Sequence, residues 1–254
     1  MAFDFRLLKT GFHDAFFNMG LDEAILMAVA ERRVPPTIRF YGWKPHAISI
    51  GYFQGIHEEV SLEKCQKKGI DVVRRITGGG AVFHAAEVTY SIVIPESHPL
   101  SRPSILDSYR IICSGIIEGL SQLGIEAEFA PINDIIAGGK KISGNAQTRK
   151  KNCILQHGTI LLSVDVDTMF SLLKVPQEKA RGKLIQEVKA RVTSVENLLG
   201  STIGFDETVL ALEQGFSSAL DLVLSEAEPT QEETISAATI ATEKFASPEW
   251  TYKR

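Results

Sequence analysis

The 254-residue sequence has few cysteines, no long apolar run and no large excess of charge of either sign. Its three cysteines, Cys65, Cys113 and Cys153, are widely spaced without a C-x-x-C pair, which argues against a disulfide framework and a structural zinc site. The N-terminus lacks a basic segment followed by an apolar one, and no apolar run approaches the roughly 18 residues of a membrane span. We therefore expect a cytoplasmic protein without a membrane segment.

The formal net charge of -4 offers no overall basic surface, which disfavours extended nucleic-acid binding. Hydrophobic residues make up 44% of the chain and charged residues 23%, as in an ordinary folded protein. No Ser/Gly-rich linker, low-complexity tract or internal repeat interrupts the sequence. We therefore predict one domain spanning residues 1–254, with a monomer as the default because no heptad pattern is present.

Helical and strand-like patterns interleave along the chain without a strict β-α-β order. Helical spacing of apolar residues predicts helices at 15–32, 61–68, 104–123, 166–173, 194–199, 207–224 and 231–245. β-prone runs predict strands at 37–41 and 47–53, which we expect to be neighbours, and at 71–75, 88–94, 154–155 and 159–162. We predict the α+β class with a mixed or antiparallel sheet, rather than a doubly wound parallel sheet.

The segment from Arg74 to His84 joins two arginines to three consecutive glycines, Gly78, Gly79 and Gly80. Glycine lets backbone N–H groups approach an anion closely, and arginine neutralises the negative charge. Neither a P-loop nor a dinucleotide-binding fingerprint is present, so a tight hairpin turn with solvated arginines remains an alternative. Because adjacent strand residues face opposite sides, only one arginine can point into a pocket, and we favour Arg75.

A second segment, from Gly138 to Ala146, places Lys140 and Lys141 between a glycine pair and small residues. One lysine of the pair should point inward and the other toward solvent, although the pattern leaves open which. The preceding Asn133 and Asp134 predict either a weak magnesium ligand, through the carboxylate, or an Asx-turn. Together the two segments indicate a site for a nucleotide or an acyl phosphate.

Three further residues are candidates of lower priority. His84 and His157 are expected to line a pocket rather than to catalyse or to bind a metal. Cys153 follows a basic run and could be a nucleophile, but a structural role is favoured.

The combined motifs R-R-x-[ST]-G-G-G-A-V-[FY]-H, N-D-h-x-x-x-G-x-K-[IV]-x-G-x-A and H-G-[ST]-h-L resemble the lipoate–protein ligase catalytic domain. Matches at 17–24, 48–54, 191–194 and 249–254 extend the resemblance over essentially the whole chain. It implies the α+β fold shared with biotin ligases, here without the C-terminal accessory domain of many ligases. The family contains ATP-dependent ligases and ATP-independent octanoyl- and lipoyl-transferases.

The resemblance implies, as the leading hypothesis, an ATP-dependent ligase that attaches lipoate or octanoate to a lysine of a lipoyl-domain protein through a lipoyl-adenylate. ATP and Mg²⁺ would be the cofactors. By resemblance Lys141 is the catalytic residue, and the ATP and lipoyl-adenylate contacts come from Arg75, Gly78, Gly79, Gly80, Ala81, Val82, Phe83 and Lys141. Candidates for the acyl pocket and its surroundings are Arg74, His84, Asn133, Asp134, Gly144, Ala146 and His157, with Asp134 as a weak Mg²⁺ ligand.

Two alternatives are kept. The first is a transferase that forms an acyl-thioester on a cysteine, suggested by the segment 85–91 and by Cys153, although the two positions where transferases carry this cysteine, 130–134 and 174–176, hold none. The second is a non-catalytic binder of lipoyl domains. Expected partners are 2-oxoacid dehydrogenase E2 subunits or the glycine cleavage H protein, and the resemblance also allows a separate accessory-domain polypeptide.

Overall fold

The computed structural model describes residues 2–174 and 181–254. Its strands, in chain order, are β1 Phe3–His13, β2 Thr37–Trp43, β3 Ala47–Ile50, β4 Asp71–Arg74, β5 Val82–His84, β6 Glu87–Pro95, β7 Ala127–Ala130, β8 Asp134–Ala137, β9 Lys140–Lys150, β10 Cys153–Leu161 and β11 Leu222–Ala227. Eight form one sheet in the order β11-β1-β2-β6-β10-β9-β8-β7, and three form a small sheet in the order β4-β3-β5. Both sheets contain parallel and antiparallel pairs, which confirms the predicted mixed sheet.

The helices are α1 Ala15–Ala30, α2 Ile56–Glu59, α3 Leu62–Lys67, α4 Ile105–Gln122, α5 Val166–Leu172, α6 Arg181–Arg191, α7 Val195–Leu199, α8 Phe205–Leu220, α9 Gln231–Ile240 and α10 Pro248–Thr251. A π-helical turn, Ala241–Phe245, continues α9. Side chains that accept from backbone N–H groups cap several helix starts, as Asp14 does for α1 and Ser104 for α4. None of the described helices is long and apolar enough to cross a membrane.

Helices cover both faces of the large sheet. On β6, Tyr90 and Ile92 belong to the core that includes α4 and α8, whereas Val93 belongs to the core that includes α1 and α9. This division follows from the alternation of side chains along a strand. Helices α4 and α8 pack closely because a Cβ on Gly215 would lie 2.2 Å from the backbone nitrogen of Gly119. The result is an α+β sandwich whose sheet is buried on both sides.

Two predictions about this fold were wrong. Strands β2 and β3 are not neighbours, since β2 pairs with β1 and β6 while β3 pairs with β4 and β5 of the other sheet. The Lys44–Pro45 turn therefore joins two sheets instead of closing a hairpin. Helix α8 also ends earlier than predicted, because Asp221 adopts a left-handed conformation and the chain continues as β11.

Candidate active site

A cavity of about 310 Å³ lies between the small sheet and the middle of the large sheet. Its walls come from the loop and strand at 79–87, from β9 and β10, and from α5 and α6. The apolar lining residues include Met19, Trp43, Leu161, Met169, Val188 and Val192. The polar lining residues include Ser49, Arg75, His84, Glu87, Lys141, Asn145 and His157. An apolar pocket of this size with a few polar groups is typical of a small-molecule site.

Arg75 lies beneath the glycine segment. Its Nη1 donates to the carbonyl and hydroxyl oxygens of Ser49 at 3.0 and 2.9 Å, and its Nη2 donates to the carbonyls of Gly78 and Gly80 at 2.9 and 2.7 Å. Burial lowers the pKa of the guanidinium to about 10. These partners are uncharged oxygen atoms, so the residue puts a buried positive charge beside the cavity and favours an anionic or oxyanionic ligand there.

The glycine segment approaches the small sheet so closely that a side chain would not fit. A Cβ on Gly51 would lie 2.0 Å from the carbonyl oxygen of Gly79, and Gly79 itself has a φ of +97°. Glycine is required at both positions, at one for close approach and at the other for the backbone conformation. The segment is therefore a fixed wall of the cavity.

Arg74 points away from the cavity, as the strand alternation predicts for one of the two arginines. Its guanidinium donates to the carbonyls of Trp250 and Thr251 at 3.1 and 2.9 Å and to that of Gln54 at 2.5 Å. The Trp250 indole donates in return to the Arg74 carbonyl at 2.7 Å. This arginine therefore anchors α10 to the small sheet.

Lys141 lines the cavity, whereas its neighbour Lys140 is exposed and not among the lining residues. The ammonium forms an ion pair with Asp134 at 2.7 Å. Gly144 leaves room for it, since a Cβ there would lie 2.8 Å from Nζ. In the two described ranges no cluster of three His, Cys, Asp or Glu side chains could hold a metal ion. The Asp134 carboxylate, predicted as a weak magnesium ligand, is paired here with Lys141.

Asn133 and Asn145 lock the loop before β8 against β9. The backbone N–H and side-chain amide of Asn145 donate to the Asn133 carbonyl at 3.0 and 2.9 Å, and the Asn133 amide donates to the Asn145 carbonyl. The Tyr90 hydroxyl donates to Asn145 Oδ1 at 2.6 Å, where Gly158 provides the space. Asn133, Gly144, Asn145 and the adjacent Ala146 all line the cavity.

His84 belongs to a chain of buried side chains on one side of the cavity. Its Nε2 lies 2.7 Å from Ser49 Oγ, and its Nδ1 lies 2.7 Å from Glu87 Oε1. The Thr89 hydroxyl donates to the same carboxylate oxygen, and the Trp43 indole donates to Thr89, both at 2.7 Å. Sequence reasoning missed Ser49 and Glu87. The three-residue spacing from His84 to Glu87 was a weak signal for one of them, and nothing local indicated Ser49.

His157 belongs to a second buried chain. Its Nε2 lies 2.7 Å from Thr77 Oγ1, and its Nδ1 lies 3.3 Å from Asp22 Oδ2. Asp22 also forms a buried ion pair with Arg39 at 2.9 Å. Burial would raise the pKa of Asp22, but the His157 hydrogen bond and the Arg39 charge outweigh it and hold that pKa below its usual value. Burial lowers the pKa of His157 despite Asp22.

The three cysteines lie outside the cavity. Cys65, Cys113 and Cys153 are buried, and none is among the lining residues. Burial raises the pKa of each thiol, for Cys113 to about 12, and the Glu96 charge adds to the effect at Cys153. A buried thiol with a raised pKa is a poor nucleophile. Of the positions at which transferases carry the cysteine, and at which this chain has none, 175–176 lie outside the described residues.

The chain is similar to known proteins over nearly its full length. The family model described as the lipoyl protein ligase A/B catalytic domain matches residues 14–217. The octanoyltransferase LipM of Geobacillus kaustophilus is 38% identical and that of Bacillus subtilis is 37% identical, each over 98% of both chains. Relatives with this same name range from 33 to 38% identity.

A solved structure shares the fold. A bi-partite lipoate protein ligase from Thermoplasma acidophilum, described with its E2 lipoyl domain, superposes with a TM-score of 0.88 at 31% identity, covering 98% of this chain and 96% of that one. The predicted α+β fold is thereby confirmed.

Proposed function

The chain belongs to the lipoyl protein ligase A/B catalytic-domain family, and from this membership we propose that it is an octanoyltransferase. It would move an octanoyl group from a thioester donor to a lysine of a lipoyl-domain protein. The observation that carries the proposal is the full-length similarity to octanoyltransferases, at 38% identity over 98% of both chains. The similarity to octanoyltransferases contradicts the prediction of an ATP-dependent ligase. The roles predicted for ATP and lipoyl-adenylate were therefore wrong as well.

The cavity suits an acyl chain with a reactive carbonyl at one end. Its apolar walls, including Trp43 and Met169, would bury the methylenes, each stabilising the complex by about 0.8 kcal/mol. Arg75 and Lys141 would lie near the carbonyl, which gains negative charge as a nucleophile attacks. Since a thioester is already an activated acyl donor, the transfer needs no adenylation.

We assign to Lys141 the role of stabilising the negative charge that develops on the carbonyl oxygen. Asp134 holds its ammonium, and Gly144 leaves the space that it occupies. A positioned cation of this kind stabilises the tetrahedral intermediate more than the ground state. The acceptor lysine approaches from solvent as a neutral amine. In the net transfer its nitrogen bonds to the carbonyl carbon, the C–S bond of the donor breaks, and the proton lost by the nitrogen goes to the leaving thiolate. Lipoyl domains of 2-oxoacid dehydrogenase E2 subunits and the H protein are the acceptors that we propose.

The test is an acyl-transfer assay read by the mass of the acceptor. The protein is incubated with a lipoyl domain and octanoyl carried as a thioester on an acyl carrier protein, without ATP, and in parallel with free octanoate or lipoate plus MgATP. We expect acylation in the thioester tube. Acylation only in the MgATP tubes, with pyrophosphate release, would overturn the proposal.

Adjacent lysines provide a matched control for this assay. Lys141→Ala should lower the transfer rate by about 10²- to 10³-fold, as loss of one oxyanion donor does. Lys140→Ala removes the same charge from an exposed position outside the cavity and should stay within about twofold of the wild type. Equal effects of the two substitutions would contradict the role given to Lys141.

A further inference from the structure

A group of cations and aromatic rings lies on the surface next to the glycine segment. The Nζ atoms of Lys253 and Lys150 and the Cζ atom of Arg254 lie 3.4, 5.4 and 5.8 Å from the centroid of the Tyr52 ring. The adjacent Phe53 side chain is 69% exposed, and Arg254 Cζ lies 5.2 Å from the centroid of its ring. Tyr52, Phe53, Lys150, Lys253 and Arg254 are called the basic patch below.

The three cations of the basic patch have aromatic rings as neighbours instead of carboxylates. Other exposed lysines are paired, as Lys67 is with Glu63 at 2.6 Å. Within residues 2–174 and 181–254, no ion pair joins Lys150, Lys253 or Arg254 to a carboxylate. The formal net charge of the whole chain is -4, so this concentration of positive charge runs against the overall balance. An acidic partner would complement it.

The basic patch is held in place by the aromatic packing around it. Lys253 Nζ also lies 3.6 Å from the centroid of the Trp250 ring, and a cation over an aromatic face is attracted to it. The Trp250 indole donates to the Arg74 carbonyl at 2.7 Å, and the Arg74 guanidinium donates back to the Trp250 and Thr251 carbonyls. The end of the chain is therefore fixed against the small sheet, which lowers the entropic cost of binding a partner there.

One wall separates the basic patch from the cavity. The Tyr52 backbone N–H donates to the Thr77 carbonyl at 2.8 Å, and Gly79, two residues further on, lines the cavity. Lys150 and Lys141 lie near opposite ends of β9, about 30 Å apart at about 3.3 Å per residue. A partner seated on the basic patch must therefore reach the catalytic lysine from some distance.

This distance distinguishes the two protein substrates of the transfer. The acceptor presents its amine on a single lysine side chain, which is too short to reach the cavity from the basic patch. The donor thioester is carried on a long, flexible phosphopantetheine arm, and the protein that bears this arm is acidic. Both its charge and its reach suit the basic patch.

We propose that the basic patch is the docking surface for the acidic carrier protein that delivers the octanoyl thioester. Its cations contact carboxylates of the carrier, the exposed Phe53 ring packs against the carrier surface, and the arm passes the glycine segment into the cavity. The inference rests on the proposed octanoyltransferase function and identifies where the donor of that reaction binds.

The test compares a protein-borne donor with a small one. Initial rates of lipoyl-domain acylation are measured with octanoyl-acyl carrier protein and with octanoyl-pantetheine, which carries no acidic protein. Lys150→Glu and Arg254→Glu together should raise the KM for the carrier about tenfold and leave kcat unchanged. Transfer from octanoyl-pantetheine and the KM for the lipoyl domain should stay within about twofold of wild type. Added salt should raise the carrier KM of wild type more than that of the variant.

Arg110→Glu is the matched control. Arg110 is exposed on α4, and the same helix contributes Ser108, which contacts the Arg149 guanidinium at 3.5 Å. Because Lys150 follows Arg149 on β9 and lies over Tyr52, α4 and the basic patch are on opposite faces of that strand. The control should leave the carrier KM within about twofold of wild type. Urea curves check folding, and Lys150→Gln, which removes a charge without reversing it, should give a smaller rise in KM and decides the question if the double variant does not fold.

The inference and the proposed function fail in different ways. An unchanged carrier KM in the double variant, an equal rise with Arg110→Glu, an equal loss with octanoyl-pantetheine or a raised KM for the lipoyl domain would overturn the docking surface and leave the proposed function intact. If the wild-type protein acylates no lipoyl domain from either thioester, the proposed function itself fails.

Discussion

Two arrays of a hydroxyl, a histidine and a carboxylate lie beside the same cavity, and they differ in how the carboxylate is compensated. In the first, Asp22 is paired with the buried cation Arg39 and faces His157. In the second, Glu87 faces His84, and its Oε2 has no hydrogen-bond partner among the described residues. The Asp22 array is therefore electrically balanced, whereas the Glu87 array keeps an uncompensated buried acceptor.

This difference suggests different uses of similar geometry. A buried ion pair with full hydrogen bonding holds elements together and is costly to break. A buried carboxylate without a cation is costly to keep, and such groups concentrate at sites where charge develops during a reaction. Accordingly we expect substitutions in the Asp22 array to change stability and those in the Glu87 array to change activity.

The largest expected effect is on stability at Asp22. Asp22→Ala leaves Arg39, which is 0% exposed, without its counter-ion, and it removes an acceptor of His157 and Ser91. Breaking a buried pair on one side typically lowers the free energy of unfolding by about 3–5 kcal/mol. Urea denaturation followed by circular dichroism measures this change. A loss below about 1 kcal/mol would show that the two arrays do not differ as described.

The next effect is on activity at Glu87. Glu87→Gln keeps the shape and one acceptor oxygen but removes the negative charge that faces His84 and Thr89. Octanoyl transfer should fall by about a hundredfold, because Glu87 and its partner His84 both line the cavity and a small misplacement of a positioned group has an effect of that size. The free energy of unfolding should change by less than about 1 kcal/mol, because an uncompensated buried charge is removed. The transfer assay and the urea curve are measured on the same preparation, and a large loss of stability with intact activity would reverse the assignment.

The sequence indicated those parts of the site whose residues lie close together in the chain. Strand alternation indicated that one of the two arginines points inward, and nearness to the glycines in the chain favoured Arg75 over Arg74. The His84 array could not be predicted in this way, because Ser49 and His84 meet only when β3 pairs with β5. A partner across strands leaves no local pattern, and the same is true of Asp22 and His157, which are 135 residues apart.

The fold shows the same limit. Helices with strong periodicity, such as α1 and α4, were predicted within a few residues of their observed ends. The β-prone runs at 37–41 and 47–53 were found, but which sheet each joins is decided by partners far away in the chain. Strand β1, at the N-terminus, was missed, and its pairing with β2 and β11 likewise joins segments that are distant in sequence.

A smaller effect on stability is expected at Thr77, whose hydroxyl contacts His157 as the Ser49 hydroxyl contacts His84. Thr77→Val removes the hydroxyl that contacts His157 Nε2 at 2.7 Å in a fully buried position. Leaving that nitrogen without a partner should cost about 1–3 kcal/mol of stability. Octanoyl transfer by the folded variant should stay within a few fold of wild type, in contrast to Glu87→Gln. A thousandfold loss of transfer at Thr77 would mean that the balanced array also acts in the transfer.

The smallest effect appears only in acid. Because the folded pKa of Asp22 lies below its usual value of 3.8, the array contributes its full stability above that pH and loses it as the pH falls through the folded pKa. Wild type should therefore be more stable than Asp22→Asn at neutral pH, and the gap between them should narrow below about pH 4. Urea curves of both proteins between pH 7 and pH 3 measure this gap, with the other carboxylates cancelling in the difference. A gap that stays constant to pH 3 would show that Asp22 titrates alike in the folded and unfolded chains, and the Arg39 pair would then not be the source of the stability.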